Sequence, residues 1–357
     1  SYSARREAWR QEWAWLREEE KAPWFLFLWV LDPHDPYFPP DGYDRWRDPG
    51  YDGKIDGSSE SIRRVRGEAD VQRLIDLYDG EIAYTDAQFG LLVDELKATG
   101  LYDDTLIVVV GDHGEAFGDH GDFVHGHLAY DEIMHVPMIM KFPSEPPSRP
   151  FAVHGAHQAN GREVGMLAQL TDVAPTVLDA LGLSSFIQGM QGLSLLPAIF
   201  DNLSPRSAAY AETQSSDVNN RLLAVRDQRW KYLRVDPPIQ LNSAGSARAE
   251  TLGWRGRLSG YRQQLANPEM VKKVLRNPMF YVRRQRVDRE MLFDLHADPC
   301  ERTNVLTSQP AVAEQMRATL DAWLAECEDY AGATAEQTPG IGLDDATRKQ
   351  LEGLGYL

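Results

Sequence analysis

Apolar residues fall along this chain in two rhythms. In one they run continuously: Trp24-Phe-Leu-Phe-Leu-Trp-Val-Leu31, Thr105–Val110 and Val136–Lys141 are short and bounded by turn residues. Runs of that length without polar alternation predict strands covered on both faces of a sheet. In the other they step by three and four: Leu74, Tyr78, Ile82, Thr85, Phe89, Leu92 and Leu96 predict a long helix that Gly100 stops. Trp9, Trp13 and Leu16 give the first twenty residues a helical stripe, and Thr171–Gly182 predicts a short helix with proline in its first turn. Buried strands alternating with helices predict an α/β layer with a mixed, mostly parallel sheet flanked by helices.

The rhythm changes near residue 204. Ala208–Thr213, Leu222–Arg226 and Trp230–Arg234 are spaced like a meander, Asp236–Gly253 is polar, and a last helix is expected over about residues 311–327. Two domains follow from this: an α/β domain over 1–203 and a smaller α+β subdomain over 204–357. No internal repeat is visible.

With 357 residues, 43% of them apolar, the chain is long enough to bury a substantial core. A net charge of −17 argues against a nucleic acid held on a broad basic face. No apolar run approaches the roughly 20 residues of a spanning helix. Cys300 and Cys327 form neither a metal-ligand pair nor a disulfide framework, so the compartment stays open, as does the oligomeric state. One stretch runs against the overall charge. Arg255–Arg289 holds ten basic residues against two acids, locally +8. It reads either as a solvated face or as an electropositive lip for a polyanion, with Arg283 and Arg284 as substrate-binding candidates.

Candidate chemistry concentrates after the second strand, in Gly111-Asp112-His113-Gly114-Glu115, Asp119-His120, Asp122, His125, His127 and Asp131-Glu132. Four of nine histidines lie within fifteen residues, interleaved with carboxylates. Imidazole nitrogen and carboxylate oxygen together are ligands for a divalent cation; the alternative is a solvated polar loop. His34, between two prolines, stands at the end of the first strand, and ligands bind beyond the carboxyl ends of strands in such sheets. Facing the cluster, it could protonate a leaving alkoxide or hold an anionic oxygen.

Several segments in one order resemble the sulfatase family of the alkaline-phosphatase superfamily. They are Asp32-Pro-His-Asp-Pro-Tyr37, Tyr78–Asp86, Thr105–Glu115, Tyr130–Pro137, Asp172-Val-Ala-Pro-Thr176, Gly192–Pro197, Arg229–Arg234, Leu292–Leu295 with Asp298–Glu301 and Asn304, and Leu354–Leu357. The resemblance implies hydrolysis of sulfate esters on a sulfated small molecule or glycan. It also implies a divalent cation, usually Ca2+, and a formylglycine nucleophile. By position Asp112 and His113 look like metal residues and His34 like the substrate or leaving-group histidine. His125 and His127 stand where the family has a lysine. Histidine at 113, where many members have asparagine, makes Mn2+ or Zn2+ more plausible than usual.

No Cys/Ser-x-Pro/Ala-x-Arg nucleophile motif precedes the Pro-His-Asp-Pro loop. The chain is therefore expected to be the C-terminal part of such an enzyme, inactive alone and poorly soluble or bound to a partner segment. The rival readings are a phosphodiester or phosphonate monoester hydrolase on the same scaffold, and a non-catalytic polyanion- or glycan-binding module.

Overall fold

The computed structural model of the protein describes residues 24–125, 129–144, 161–201, 203, 206–214, 221–236 and 289–334. The expected first helix, His127, the polar stretch after Asp236 and the basic stretch with Arg283 and Arg284 lie outside the described residues. The chain divides into two compact units, Ser1–Thr307 and Ser308–Leu357. The expected boundary at 203/204 falls inside the first, where the secondary structure changes character.

A short helix α1, Ser59–Ile62, precedes the long helix α2, Glu68–Ala98. Of the predicted stripe Leu74, Leu92 and Leu96 are buried, joined by Leu77 and Tyr84, while Ile82 is 44% exposed. At its end Leu101 N donates to Leu96 O (2.8 Å), and Gly100 takes φ +73°, a backbone open to glycine at little cost. Leu92 and Leu96 pack against Trp24, Leu26 and Leu28, so alternate residues of the first apolar run face the helix. Phe25, Phe27 and Trp29, between them, are 78%, 76% and 44% exposed. The run alternates in burial but joins no ladder among the described residues.

The mostly parallel sheet is corrected. Strand β1, Ile107–Val110, pairs antiparallel with β4, Met138–Lys141. Strands β2, Ala116–Phe117, and β3, Phe123–Val124, form an antiparallel hairpin. Every ladder among the described residues is antiparallel. A continuous apolar run records that a strand is covered, not which way its neighbour runs. The β4 methionines Met138 and Met140 pack with Phe142, Ala180, Leu195, Leu196 and Ile199. Those residues come largely from helices α4, Val173–Ala180, and α5, Leu196–Asp201. A short helix α3, Asp131–Met134, leads into β4.

Asp172, fully buried, ties this side together. Its carboxylate accepts from Gln169 N and Leu193 N and pairs with Arg206. Thr176 Oγ1 donates to Asp172 O (2.6 Å) and accepts from Leu195 N (2.9 Å). The Asp172–Thr176 and Gly192–Pro197 motifs are thus one joint.

The meander is present and gains a fourth strand. Strands β5 (Ala209–Gln214), β6 (Arg221–Arg226), β7 (Trp230–Asp236) and β8 (Glu290–Asp294) pair in that order. Leu222, Ala224, Leu233, Met291 and Phe293 form its core with Tyr130. Beside it lies a buried ionic network. Lys231 Nζ meets Asp131 Oδ1 (2.7 Å) and Glu301 Oε1 (2.8 Å), and Arg226 donates to Asp131 Oδ2 (2.8 Å). Glu301 Oε2 accepts from Asp131 N (2.6 Å). In the second unit, helix α6 spans Pro310–Thr334. Among the described residues no helix is long and apolar enough to cross a membrane.

Candidate active site

Two loops carry the histidines. The first follows the Trp24–Leu31 run, where His34 N donates to Leu31 O (2.7 Å) and closes a turn between the prolines. Tyr37 N then donates to Gly57 O (2.9 Å). A side chain at Gly57 would lie 1.9 Å from the Tyr37 carbonyl oxygen, so only glycine permits this approach. Within the loop His34 Nδ1 lies 2.7 Å from Asp35 O, and Asp35 Oδ2 accepts from Ser59 Oγ (3.1 Å).

The second loop follows β1. Gly114 N donates to Ile133 O (2.7 Å), and a Cβ there would sit 2.0 Å from Glu132 O. This glycine lets the loop press on the backbone of α3. His113 Nδ1 lies 2.8 Å from Gly114 O. The β2–β3 hairpin then turns the chain back, and Val124 at φ +63° delivers His125. A β-branched residue in the left-handed region is strained, and such strain collects where side-chain direction matters.

Three imidazoles meet as a result. Ring centroids lie 4.7 Å apart for His34 and His125, 6.3 Å for His34 and His113, and 4.1 Å for the stacked His113 and His125. Behind His125 stands Glu115, whose side chain is 3% exposed. Its two oxygens lie 3.1 and 3.3 Å from His125 Nδ1. Burial works against a charge on His125, yet Glu115, with help from Asp35 and Asp112, holds it above the ordinary imidazole range. Burial, then the Glu115 charge, pushes the Tyr37 hydroxyl far up and the Tyr78 hydroxyl up to about 12. Both stay protonated at neutral pH.

A divalent cation can be tested against these groups. The ligand atoms of His34, Asp35 and His125 all lie within 4.8 Å of one another. His34 Nε2 is buried and has no hydrogen-bond partner among the described residues. Two imidazoles and a carboxylate with one spare buried nitrogen fit a borderline ion such as Zn2+ or Mn2+ better than oxygen-seeking Ca2+. Of the expected metal pair, Asp112 is 61% exposed and 3.9 Å from His113 Nε2; its carboxylate accepts from His113 N (3.0 Å). Asp35 and Glu115 were not singled out from the sequence. Asp35 lay unassigned within the Pro-His-Asp-Pro motif, and Glu115 was one acid among many.

His120 belongs elsewhere. Its Nδ1 lies 2.6 Å from Glu132 Oε1 and its Nε2 3.1 Å from Glu301 O.

Residues 7–183 match the family described as Sulfatase. Over 198 residues the chain is 28% identical to arylsulfatase K of Gallus gallus, which covers 52% of this chain and 34% of that protein. It is 27% identical over 243 residues to choline-sulfatase of Rhizobium meliloti, covering 62% of this chain and 44% of that protein. The chain thus spans between a third and a half of the length of these relatives. Phosphonate monoester hydrolase of Agrobacterium radiobacter superposes with a TM-score of 0.60 at 23% identity, over 89% of this chain and 60% of that one. That likeness supports an alkaline-phosphatase/sulfatase type of fold and nothing about substrate.

Proposed function

We propose that the whole protein containing this chain is a metal-dependent hydrolase of sulfate esters, with its centre where the two loops meet. The observation that carries the reading is the convergence of His34, His113 and His125 beside Asp35, with His34 Nε2 buried and unanswered. The sulfatase match over residues 7–183 agrees with it. The cation is assigned to Asp112 and His113, with Asp35 as a further oxygen donor, and His34 and His125, whose ligand atoms also lie within 4.8 Å of Asp35, are left for the substrate. When bound, the cation would supply positive charge for the oxygens that become negative during ester cleavage.

With Nδ1 donating to the Asp35 carbonyl, a neutral His34 presents a lone pair at Nε2, so protonating the departing alcohol oxygen calls for the imidazolium form. His125, held through Nδ1 by Glu115, turns its other nitrogen toward the anionic group. The Tyr37 and Tyr78 rings exclude water from the back of Glu115. Formylglycine belongs to the proposal for the whole protein only, and His127 with the Arg283/Arg284 lip remains part of it for anion binding. The substrate class is a sulfated small molecule or glycan.

A second reading, hydrolysis of phosphonate monoesters or phosphodiesters, is favoured by the imidazole-rich donor set. Parallel assays of the whole protein on nitrophenyl sulfate and nitrophenyl phenylphosphonate, with and without chelator, separate the two. Faster turnover of the sulfate, abolished by chelator and restored by Mn2+, Zn2+ or Ca2+, is expected. Glycan binding without turnover, indifferent to chelator and to His34→Ala, would replace both with a binding module.

A further inference from the structure

The β2–β3 hairpin that carries His125 is fixed at its tip by one ring. His120 lies between Gly118 and Gly121, both at positive φ, in a turn closed by Gly118 N to Asp122 O (2.8 Å). Its Nδ1 faces the Glu132 carboxylate on α3 at 2.6 Å, and its Nε2 faces the carbonyl oxygen of Glu301 at 3.1 Å. The ring lies flat on Tyr130, with centroids 3.6 Å apart and planes 3° from parallel.

Both partners are acceptors. A carbonyl oxygen can never donate, and an ionised carboxylate cannot either. A neutral imidazole has one N–H, so it would leave one nitrogen lone pair pointed at an oxygen. Only the doubly protonated ring satisfies both contacts. Turning the ring over would put Cδ2 and Cε1 where the nitrogens stand and lose both contacts.

We propose that His120 is held as an imidazolium that staples the β2–β3 hairpin to the turn at Glu301, and so positions His125. The surroundings agree. Glu301, whose carbonyl faces the ring, adopts φ +53°, an uncommon conformation for a non-glycine residue. The charges facing the site are Glu132 from α3 and Glu301 from the turn after β8, the latter backed by Lys231, Asp131 and Arg226. Burial opposes a charge on His120, but the Glu132 bond, followed by the Glu301 carbonyl and carboxylate, raises its affinity for a proton overall. The Tyr130 face adds a cation–π contact.

The positioning half of the inference rests on the proposed hydrolysis; the protonation half does not. The first test is nitrogen-resolved NMR of the imidazole rings in the intact chain, with His120 assigned by its proximity to Tyr130 and by loss of its signals in His120→Gln. Both nitrogens should still carry protons at about pH 7, above the ~6.5 at which a free imidazole titrates. A neutral ring at pH 7 would overturn the inference. A protonated Glu132 beside a neutral ring, visible in the same titration, would also overturn it.

The second test is turnover by the whole protein. His120→Lys keeps a cation that can donate to both oxygens, and should retain activity within about threefold. His120→Leu keeps neither, and should lose about ten- to a hundredfold in kcat with KM little changed, as expected of a misplaced reacting group. Equal losses in the two variants would overturn positioning. A whole protein without hydrolase activity would strike the proposed function, and the NMR result would then decide the protonation state by itself.

Discussion

Two polar clusters in the first unit answer the same physical problem in opposite ways. Around Lys231 the charges are paired: Asp131 and Glu301 hold the ammonium, Arg226 takes the second Asp131 oxygen, and Glu301 also accepts a backbone N–H, although Glu301 Oε1 and Arg226 Nε make no hydrogen bond of their own among the described residues. Burial raises Glu301 against the pull of Lys231, while Asp131 overcomes its own burial penalty through Lys231 and Arg226 and sits below the usual carboxylate range. Around His34 the arithmetic stays open. Three rings and a carboxylate converge, yet His34 Nε2 is buried with no partner among the described residues. Buried polar groups are normally satisfied, so capacity left over marks the cluster made for something that arrives later. Pairing of opposite charges marks the cluster that holds the fold.

Substitutions should respect that division. The largest effect belongs to the open cluster: His34→Ala in the whole protein should lower kcat by about 10²–10⁴, the usual worth of a positioned proton donor. Calorimetry should find its melting temperature nearly unchanged. A large fall in melting temperature would move His34 into the closed class.

Next comes Lys231→Met. It leaves two buried carboxylates facing each other, and breaking such a pair costs about 3–5 kcal/mol. The urea midpoint should fall with an unchanged m-value; a neutral result would mean that the network contributes nothing. Thr176→Val removes a buried hydroxyl that bridges Asp172 O and Leu195 N. It should cost about 1–3 kcal/mol in the same measurement.

The finest distinction is one of pH. Because Asp131 is depressed in the fold, its contribution is fully present above its unfolded pKa of about 3.9 and drains away as pH falls through the lower folded value. Acid unfolding followed by circular dichroism should therefore be less steep in Asp131→Asn than in the wild type. Identical steepness would show that Asp131 is not coupled to folding.

How far the sequence foretold this depends on the kind of signal. The long helix and its stop at Gly100 were legible because periodicity and glycine are local. The meander was legible strand by strand, but β8 was not, because its partner β7 is distant in the chain. Strand direction was lost altogether, since Ile107–Val110 reads the same beside a parallel or an antiparallel neighbour. In the site, the histidines stood out by type and by their place after apolar runs. Asp35 and Glu115 did not, because only folding shows which of many acids is buried against an imidazole.

One small residue has a further mechanical consequence. At Gly114 the loop between His113 and Glu115 rests on the peptide backbone of Glu132 and Ile133 with no side chain between them. Without that cushion, neither piece can slide without carrying the other. Any breathing of the pocket must come from its far wall, the segment bearing His34.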